Sequence, residues 1–200
     1  MSGETIFTTL RLARSLSASQ GRALRATQLA AQQQLRAHLD ASTAPAELAA
    51  HQRRTDKQFF AAFDAALDWP TVGPAWFAED EQMAETLAGE LLMLEESGFA
   101  VPAFAILPNH VHAVVHRPAA NRLSLPKALE LLHRRTAQQC RRFVRPRLPP
   151  EADFWATGSY DYLVQDAEEL GRLVRYVRNN SRQAGLPPRF QQWPYVPDAG

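Results

Sequence analysis

The sequence predicts an α+β fold. A four-stranded antiparallel sheet carries helices on one face, with an inserted helical hairpin and a final helix bearing a tyrosine. Three observations predict it. A Pro108-Asn109 turn joins an apolar run at 101–107 to a β-branched run at 111–115, which reads as a hairpin. Outside residues 21–68 the elements read β-α-β-β-α-β-α. Residues 21–68 themselves read as two successive helices with no strand between them.

Residues 5–12 (Thr-Ile-Phe-Thr-Thr-Leu-Arg-Leu) form the first predicted strand, and 17–20 break its pattern. Residues 21–41 are rich in Ala, Leu, Gln and Arg, all good helix formers. A break follows at Thr43, and Pro45 suits the first turn of a second helix to about Leu67, with Phe59, Phe60 and Phe63 on one side. Trp69-Pro70 to Pro74 reads as a loop, with Trp76-Phe77 after it. Residues 79–96 read as a helix ended by Gly98, with Met83, Leu87, Leu91 and Leu94 at helical spacing. Residues 124–145 form the next helix, its buried stripe being Leu125, Leu129, Leu132, Thr136, Cys140 and Phe143; Pro146 to Pro150 stops it. The loop at 153–158 carries Phe154-Trp155, and 160–164 form a fourth strand. Asp166 reads as an N-cap with Glu169 in capping-box position; Leu170, Leu173, Val174 and Val177 are the stripe of a helix that Gly185 ends. The first six core elements give the ferredoxin-like pattern, so the chain reads as a single domain over 1–200 with residues 21–68 an arm inserted after the first strand.

An apolar share of 46% and a net charge of +1 fit a soluble globular protein. The charge is unevenly placed. Residues 58–116 contain no Lys or Arg, whereas residues 122–147 hold Lys127 and seven arginines against Glu130 alone. One face is thus expected to meet polyanions. Cys140 is the sole cysteine, which excludes an intrachain disulfide and a cysteine-based zinc site and fits a reducing cytoplasm. No stretch has the apolar length of a membrane-spanning helix, and the N-terminus lacks a secretory core.

The candidate chemistry starts at His110 and His112. Side chains alternate along a strand, so the two imidazoles leave on one face, half of a metal site. His116 shares that face two pleats on and is left out of the site. His38, His51 and His133 have no partner at useful spacing and read as surface or helix histidines. On the last helix Tyr176 and Asn180 lie one turn apart on one face, at the border of the apolar stripe. Taken alone, Tyr176 reads as a packing residue, Asn180 as a capping or surface residue, and a His-x-His strand as a metal site in only a minority of cases. Together they have a chemical logic. A divalent ion on His110, His112 and the Asn180 amide oxygen would keep positions open for phosphate oxygens, and the Tyr176 phenol would attack phosphorus. Neither a nucleophile elbow nor a phosphate-binding glycine loop is present.

Pro108-Asn109-His110-Val111-His112 resembles the His-hydrophobic-His motif of the single-tyrosine HUH transposases. The stretch from Phe154-Trp155 through Ser159-Tyr160-Asp161-Tyr162, then Asp166-Ala-Glu-Glu-Leu170 and Val174-Arg-Tyr-Val-Arg-Asn-Asn180 to Gly185-Leu186, is similar to the REP-associated tyrosine transposases, and Trp193-Pro194 fits as well. The resemblance covers most of residues 100–195 and, more loosely, 5–12 and 59–97. It implies a ferredoxin-like fold, Mg²⁺ or Mn²⁺, and cleavage of single-stranded DNA beside palindromic hairpins, leaving a 5′-phosphotyrosine and a 3′-hydroxyl. It implies metal ligation by His110, His112 and Asn180, with Tyr176 the nucleophile, in a monomer or homodimer. Two departures stand out: Ser181 follows the Asn where the family often has Pro, and the 21–68 arm is longer than in compact members.

From the residues alone, Lys127, Arg134, Arg135, Arg141 and Arg142 are the DNA-binding candidates, since a face of basic side chains suits backbone phosphates. Trp155 and Tyr160 are candidates for stacking on unpaired bases, with core packing the alternative. Two rival functions remain open. One is a non-cleaving regulator that binds hairpin DNA; the other is a metal-dependent hydrolase that uses water.

Overall fold

The computed structural model describes residues 2–38, 45–68, 73–145 and 147–197. The expected break at Thr43, the Trp69-Pro70 loop and the Pro146 stop lie outside them. The chain divides into two compact units, residues 16–73 and residues 1–15 with 74–200.

The larger unit is built on four strands: β1 (Gly3–Arg11), β2 (Ala100–Ile106), β3 (His110–Pro118) and β4 (Tyr160–Leu163). Their order is β2-β3-β1-β4, and every neighbouring pair is antiparallel. This is the predicted ferredoxin-like sheet. Asn109 and Pro108 form the two-residue turn of the β2–β3 hairpin, closed by Leu107 N–H donating to the His110 carbonyl at 2.8 Å.

Period-2 alternation divides the sheet into two unlike faces. Val111, Ala113 and Val115 of β3, with Phe104 and Ile106 of β2 and Leu10 of β1, belong to the main apolar core. That core is closed by α4 (Glu81–Glu96) through Met83, Leu87 and Leu91, and by α5 (Leu125–Val144) through Leu125, Leu129, Leu132 and Cys140. The helix expected over 79–96 starts at residue 81. Asp80 caps it, its carboxylate accepting from Gln82 N–H at 3.0 Å, and Trp76 and Phe77 lie on a separate turn, α3 (Trp76–Glu79).

The opposite face carries His110, His112, Val114 and His116. Their register partners on β1 are Arg11, Thr9, Phe7 and Thr5. The helix α6 (Ala167–Gln183) covers this face, so the tyrosine helix sits across the sheet from α4 and α5. Its start is fixed by a network around buried Glu169. Asp166 accepts from Glu169 N–H at 2.7 Å, while the Glu169 carboxylate accepts from Gln165 N–H at 3.0 Å and from the Tyr162 hydroxyl at 2.9 Å. Its end is a left-handed cap at Gly185 (φ +68°), with Gly185 N–H on the Arg182 carbonyl and Leu186 N–H on that of Ser181. With Ser at 181 the helix simply runs on to this glycine. A short 3₁₀ turn (Pro188–Gln191) follows. Phe190 and Tyr195 are buried behind it, and the Tyr195 hydroxyl donates to the Phe77 carbonyl at 3.0 Å.

The smaller unit pairs α1 (Ala18–His38) with α2 (Pro45–Asp68). Residues 17–20, expected to break the chain, instead start α1 as a capping box. Gln20 N–H donates to Ser17 Oγ at 3.1 Å, and Ser17 N–H donates to Gln20 Oε1 at 2.8 Å. Phe59 and Phe63 stack with ring centroids 6.2 Å apart. Among the described residues no helix is long and apolar enough to cross a membrane.

Candidate metal and nucleophile site

The site begins with the hairpin. The tight turn sets His110 as the first residue of β3, and the pleat brings His112 to the same face. The two Nε2 atoms face each other at 3.2 Å. Ligands about 2.1 Å from an octahedral ion lie about 3.0 Å apart when adjacent, so the spacing matches that of two ligands sharing one ion.

The ring orientations are held from behind. Asn109 Oδ1 lies 2.6 Å from His110 Nδ1. An amide oxygen only accepts, so in the neutral ring Nδ1 carries the proton and Nε2 keeps its lone pair. Thr9 Oγ1 lies 2.8 Å from His112 Nδ1 and can accept in the same way. Thr9, Asn109, His110 and His112 are all buried. With Asn109 and Thr9 accepting from the two Nδ1–H groups, both Nε2 atoms can ligate one ion. The donor set therefore fits a divalent ion.

Phe7 joins this pair to α6. Its ring stacks on His112 at 5.3 Å and meets Tyr176 edge-on at 6.1 Å. Tyr176 and His112 have ring centroids 5.8 Å apart. Asn180 donates from Nδ2 to the Tyr176 hydroxyl at 2.9 Å. Its Oδ1 is buried with no hydrogen-bond partner among the described residues. A buried amide oxygen with no partner is costly, and a hard cation takes such oxygens.

The fold thus brings His110, His112, Tyr176 and Asn180 to one face of the sheet. The position expected for Asn180 needs correction. It lies not at the border of the buried face but within it, 2% exposed, with Val177 and Ser181, whereas Leu170, Leu173 and Val174 are only half-buried. The surface under α6 is the polar histidine face, so polar residues of α6 are buried where apolar periodicity pointed elsewhere.

The five basic candidates are not part of this site. Lys127, Arg134, Arg135, Arg141 and Arg142 lie on α5, in the layer across the sheet from the histidines. Lys127 pairs with Glu130 at 2.8 Å, and Arg135 approaches Glu90 at 3.7 Å. Arg141 donates to the Pro150 and Ala152 carbonyls at 3.2 and 2.5 Å, fastening the following loop to the helix. The Arg142 guanidinium lies 4.5 Å from the Phe143 ring centre.

Trp155 is not available for stacking on bases. It is buried, donates from Nε1 to Thr136 Oγ1 at 2.9 Å, and stacks against His133 at 5.4 Å. Packing wins because the indole N–H finds its acceptor inside. Tyr160 lies half-buried on the histidine face, 6.5 Å from Phe7. His133, expected as an ordinary helix histidine, is mostly enclosed, and burial lowers its pKa against an opposing pull from Asp161. His116 lies 2.8 Å from Thr5 Oγ1 through Nδ1. His51 lies on α2 and His38 ends α1.

Sequence reasoning missed Asn109, Thr9 and Phe7. Asn109 was visible only as a turn residue. Thr9 and Phe7 became site residues through the β1–β3 register, which single-strand alternation does not encode.

No protein-family model matches the chain, and no curated protein matches it either. Among solved structures the chain is similar to one described as a REP-associated tyrosine transposase bound to a REP hairpin. The match has a TM-score of 0.52 and 11% identity and covers 98% of this chain and 77% of that one. At that identity the likeness is one of fold: the chain has the α+β architecture of this hairpin-bound transposase.

Proposed function

We propose that this protein is a tyrosine HUH transposase, a DNA strand-transferase that cleaves and rejoins single-stranded DNA next to palindromic hairpins. The observation that carries the reading is the meeting of a 3.2 Å Nε2 pair with a helix that presents Tyr176 and Asn180 one turn apart. The likeness in fold to a transposase bound to a REP hairpin supports hairpin DNA as the partner.

In this reading His110 Nε2, His112 Nε2 and Asn180 Oδ1 would hold Mg²⁺ or Mn²⁺. The ion, when bound, neutralises phosphate charge and polarises phosphorus. Asn109 and Thr9 hold the imidazoles with Nε2 turned to the site. Tyr176 is the nucleophile. The phenol gives up its proton as its oxygen bonds to phosphorus, the bond from phosphorus to the 3′ oxygen breaks, and the leaving oxygen takes up a proton to become a 3′-hydroxyl, so protons balance. The 5′ end stays on the tyrosine, so the phosphodiester energy is kept for rejoining. Asn180 Nδ2 steadies the phenol oxygen where charge develops. Phe7 walls both rings and limits their movement. The reading is compatible with a monomer and with a homodimer. The basic residues of α5 (Lys127, Arg134, Arg135, Arg141 and Arg142) serve the DNA backbone away from the cleavage point.

The test is incubation with labelled hairpin oligonucleotides bearing single-stranded flanks, in Mn²⁺ or Mg²⁺, followed by a denaturing gel. A covalent protein–DNA band that disappears in Tyr176→Phe is the expected result. Binding without an adduct in the unmodified protein would refute cleavage and leave a hairpin-binding regulator. Cleavage that survives Tyr176→Phe would make water the nucleophile.

A further inference from the structure

Arg11 is the last residue of β1 and the register partner of His110. Opposed residues of an antiparallel pair leave on the same face, with Cβ atoms about 5 Å apart. The Arg11 side chain therefore rises on the histidine face beside the first metal-ligating candidate. It is half-buried.

The surroundings of this guanidinium are poor in acceptors. Its hydrogen bond is a long one, from Nη1 to Ser15 Oγ at 3.5 Å. Among the described residues no carboxylate forms an ion pair with it. Arg117, Arg135, Arg147 and Arg172 by contrast pair with Glu4, Glu90, Glu79 and Glu168. Burial alone lowers the pKa of Arg11, with no acid to offset it. Arginine carries five donors in a planar fork and keeps its charge. A part-buried cation with most donors unused is costly unless an anion completes it. Carboxylate and phosphate both match the fork, and in the transposase reading the anion brought to this face is the phosphate of the DNA backbone.

We propose that Arg11 is a DNA-phosphate-binding residue, taking the non-bridging oxygens of a phosphodiester held beside the His110–His112 pair. The inference rests on the transposase reading for its ligand, and it adds a basic contact inside the site that the arginines of α5 do not provide. Strand register puts the contact on the same surface as the nucleophile. Arg11 thereby fixes where along the strand the phosphate backbone sits relative to Tyr176.

The experiment measures binding in the non-cleaving Tyr176→Phe background. The probes are a fluorescein-labelled oligothymidylate and a hairpin with a single-stranded flank, titrated by anisotropy across a salt series in Mn²⁺. Adding Arg11→Gln is expected to weaken binding about tenfold and to lower the slope of log affinity against log salt by roughly 0.7, the loss of one single-strand phosphate contact. Arg11→Lys is expected to keep the slope and lose a few-fold in affinity, because a point charge replaces a fork. Equal affinity and slope in Arg11→Gln overturn the proposal. So does an equal loss in both variants with the slope unchanged, which marks a structural role, and so does an Arg11-intact protein with no salt-sensitive binding. Adduct formation by the Tyr176 protein is read in parallel. Arg11-dependent binding without any adduct removes the cleavage reading and keeps the phosphate site. Adduct formation at full rate and affinity in Arg11→Gln does the reverse.

Discussion

Replacing Asn180 by Leu separates stability from metal binding. Leucine has the same branching, with methyl groups where the amide has Oδ1 and Nδ2. Asn180 is 2% exposed, donates to Tyr176 at 2.9 Å, and keeps Oδ1 without a hydrogen-bond partner among the described residues. The variant loses one hydrogen bond worth about 1 kcal/mol and relieves a buried orphan carbonyl that costs about 1–3 kcal/mol. In EDTA its stability is therefore expected to be unchanged or up to about 2 kcal/mol higher, a rise in Tm of up to about 6 °C for a chain of this size. Mn²⁺ should reverse the comparison. At a hundred times its Kd a ligand stabilises the native state by about 2.7 kcal/mol, and a site reduced to two histidines loses most of that increment. Scanning calorimetry in EDTA and in a Mn²⁺ series reads both effects. A loss exceeding about 2 kcal/mol in EDTA would refute the reasoning, because it would mean that the carbonyl had a structural partner. A full Mn²⁺ increment in the variant would remove Asn180 from the ligand set.

Thr9→Val keeps the shape of a fully buried residue and removes the hydroxyl beside His112 Nδ1. Mn²⁺ affinity, read by electron paramagnetic resonance, should fall about 10- to 100-fold; an unchanged affinity would show that Thr9 does not orient the ring. His133 predicts an acid-side effect. Burial favours its neutral form in the folded state, so the unfolded chain binds the proton more readily, and stability drains as pH falls below about 6.5. His133→Phe keeps a ring against Trp155 and should flatten urea-derived stability between pH 7 and pH 5. Parallel slopes for the two proteins would show that another group titrates there.

The arm illustrates how local signals divide. Good helix formers in 21–41 made a helix legible, yet Ser17 and Gln20 read as a break although they begin it. Ser-x-x-Gln is both turn chemistry and a capping box, and only the hydrogen bonds decide between them. The start of α6 was less ambiguous because Asp166 and Glu169 precede an apolar run. Even there, the Glu169 carboxylate turned to Gln165 and to Tyr162 on β4, a partner that no local pattern names.

The sequence by itself determined the strand and helix order, the hairpin at Pro108-Asn109, and the shared faces of His110 with His112 and of Tyr176 with Asn180. Those follow from periodicities of 2 and 3.6 within one element, which any chain carries in its own residues. The tertiary structure decided what met what. Antiparallel register set Thr9 behind His112 and Arg11 beside His110. Packing across the sheet put the arginines of α5 in the layer away from the histidines and buried Trp155 among core side chains. Register and layer depend on the partner strand and on which face each helix covers, and a one-residue slip would turn every β1 side chain to the other face.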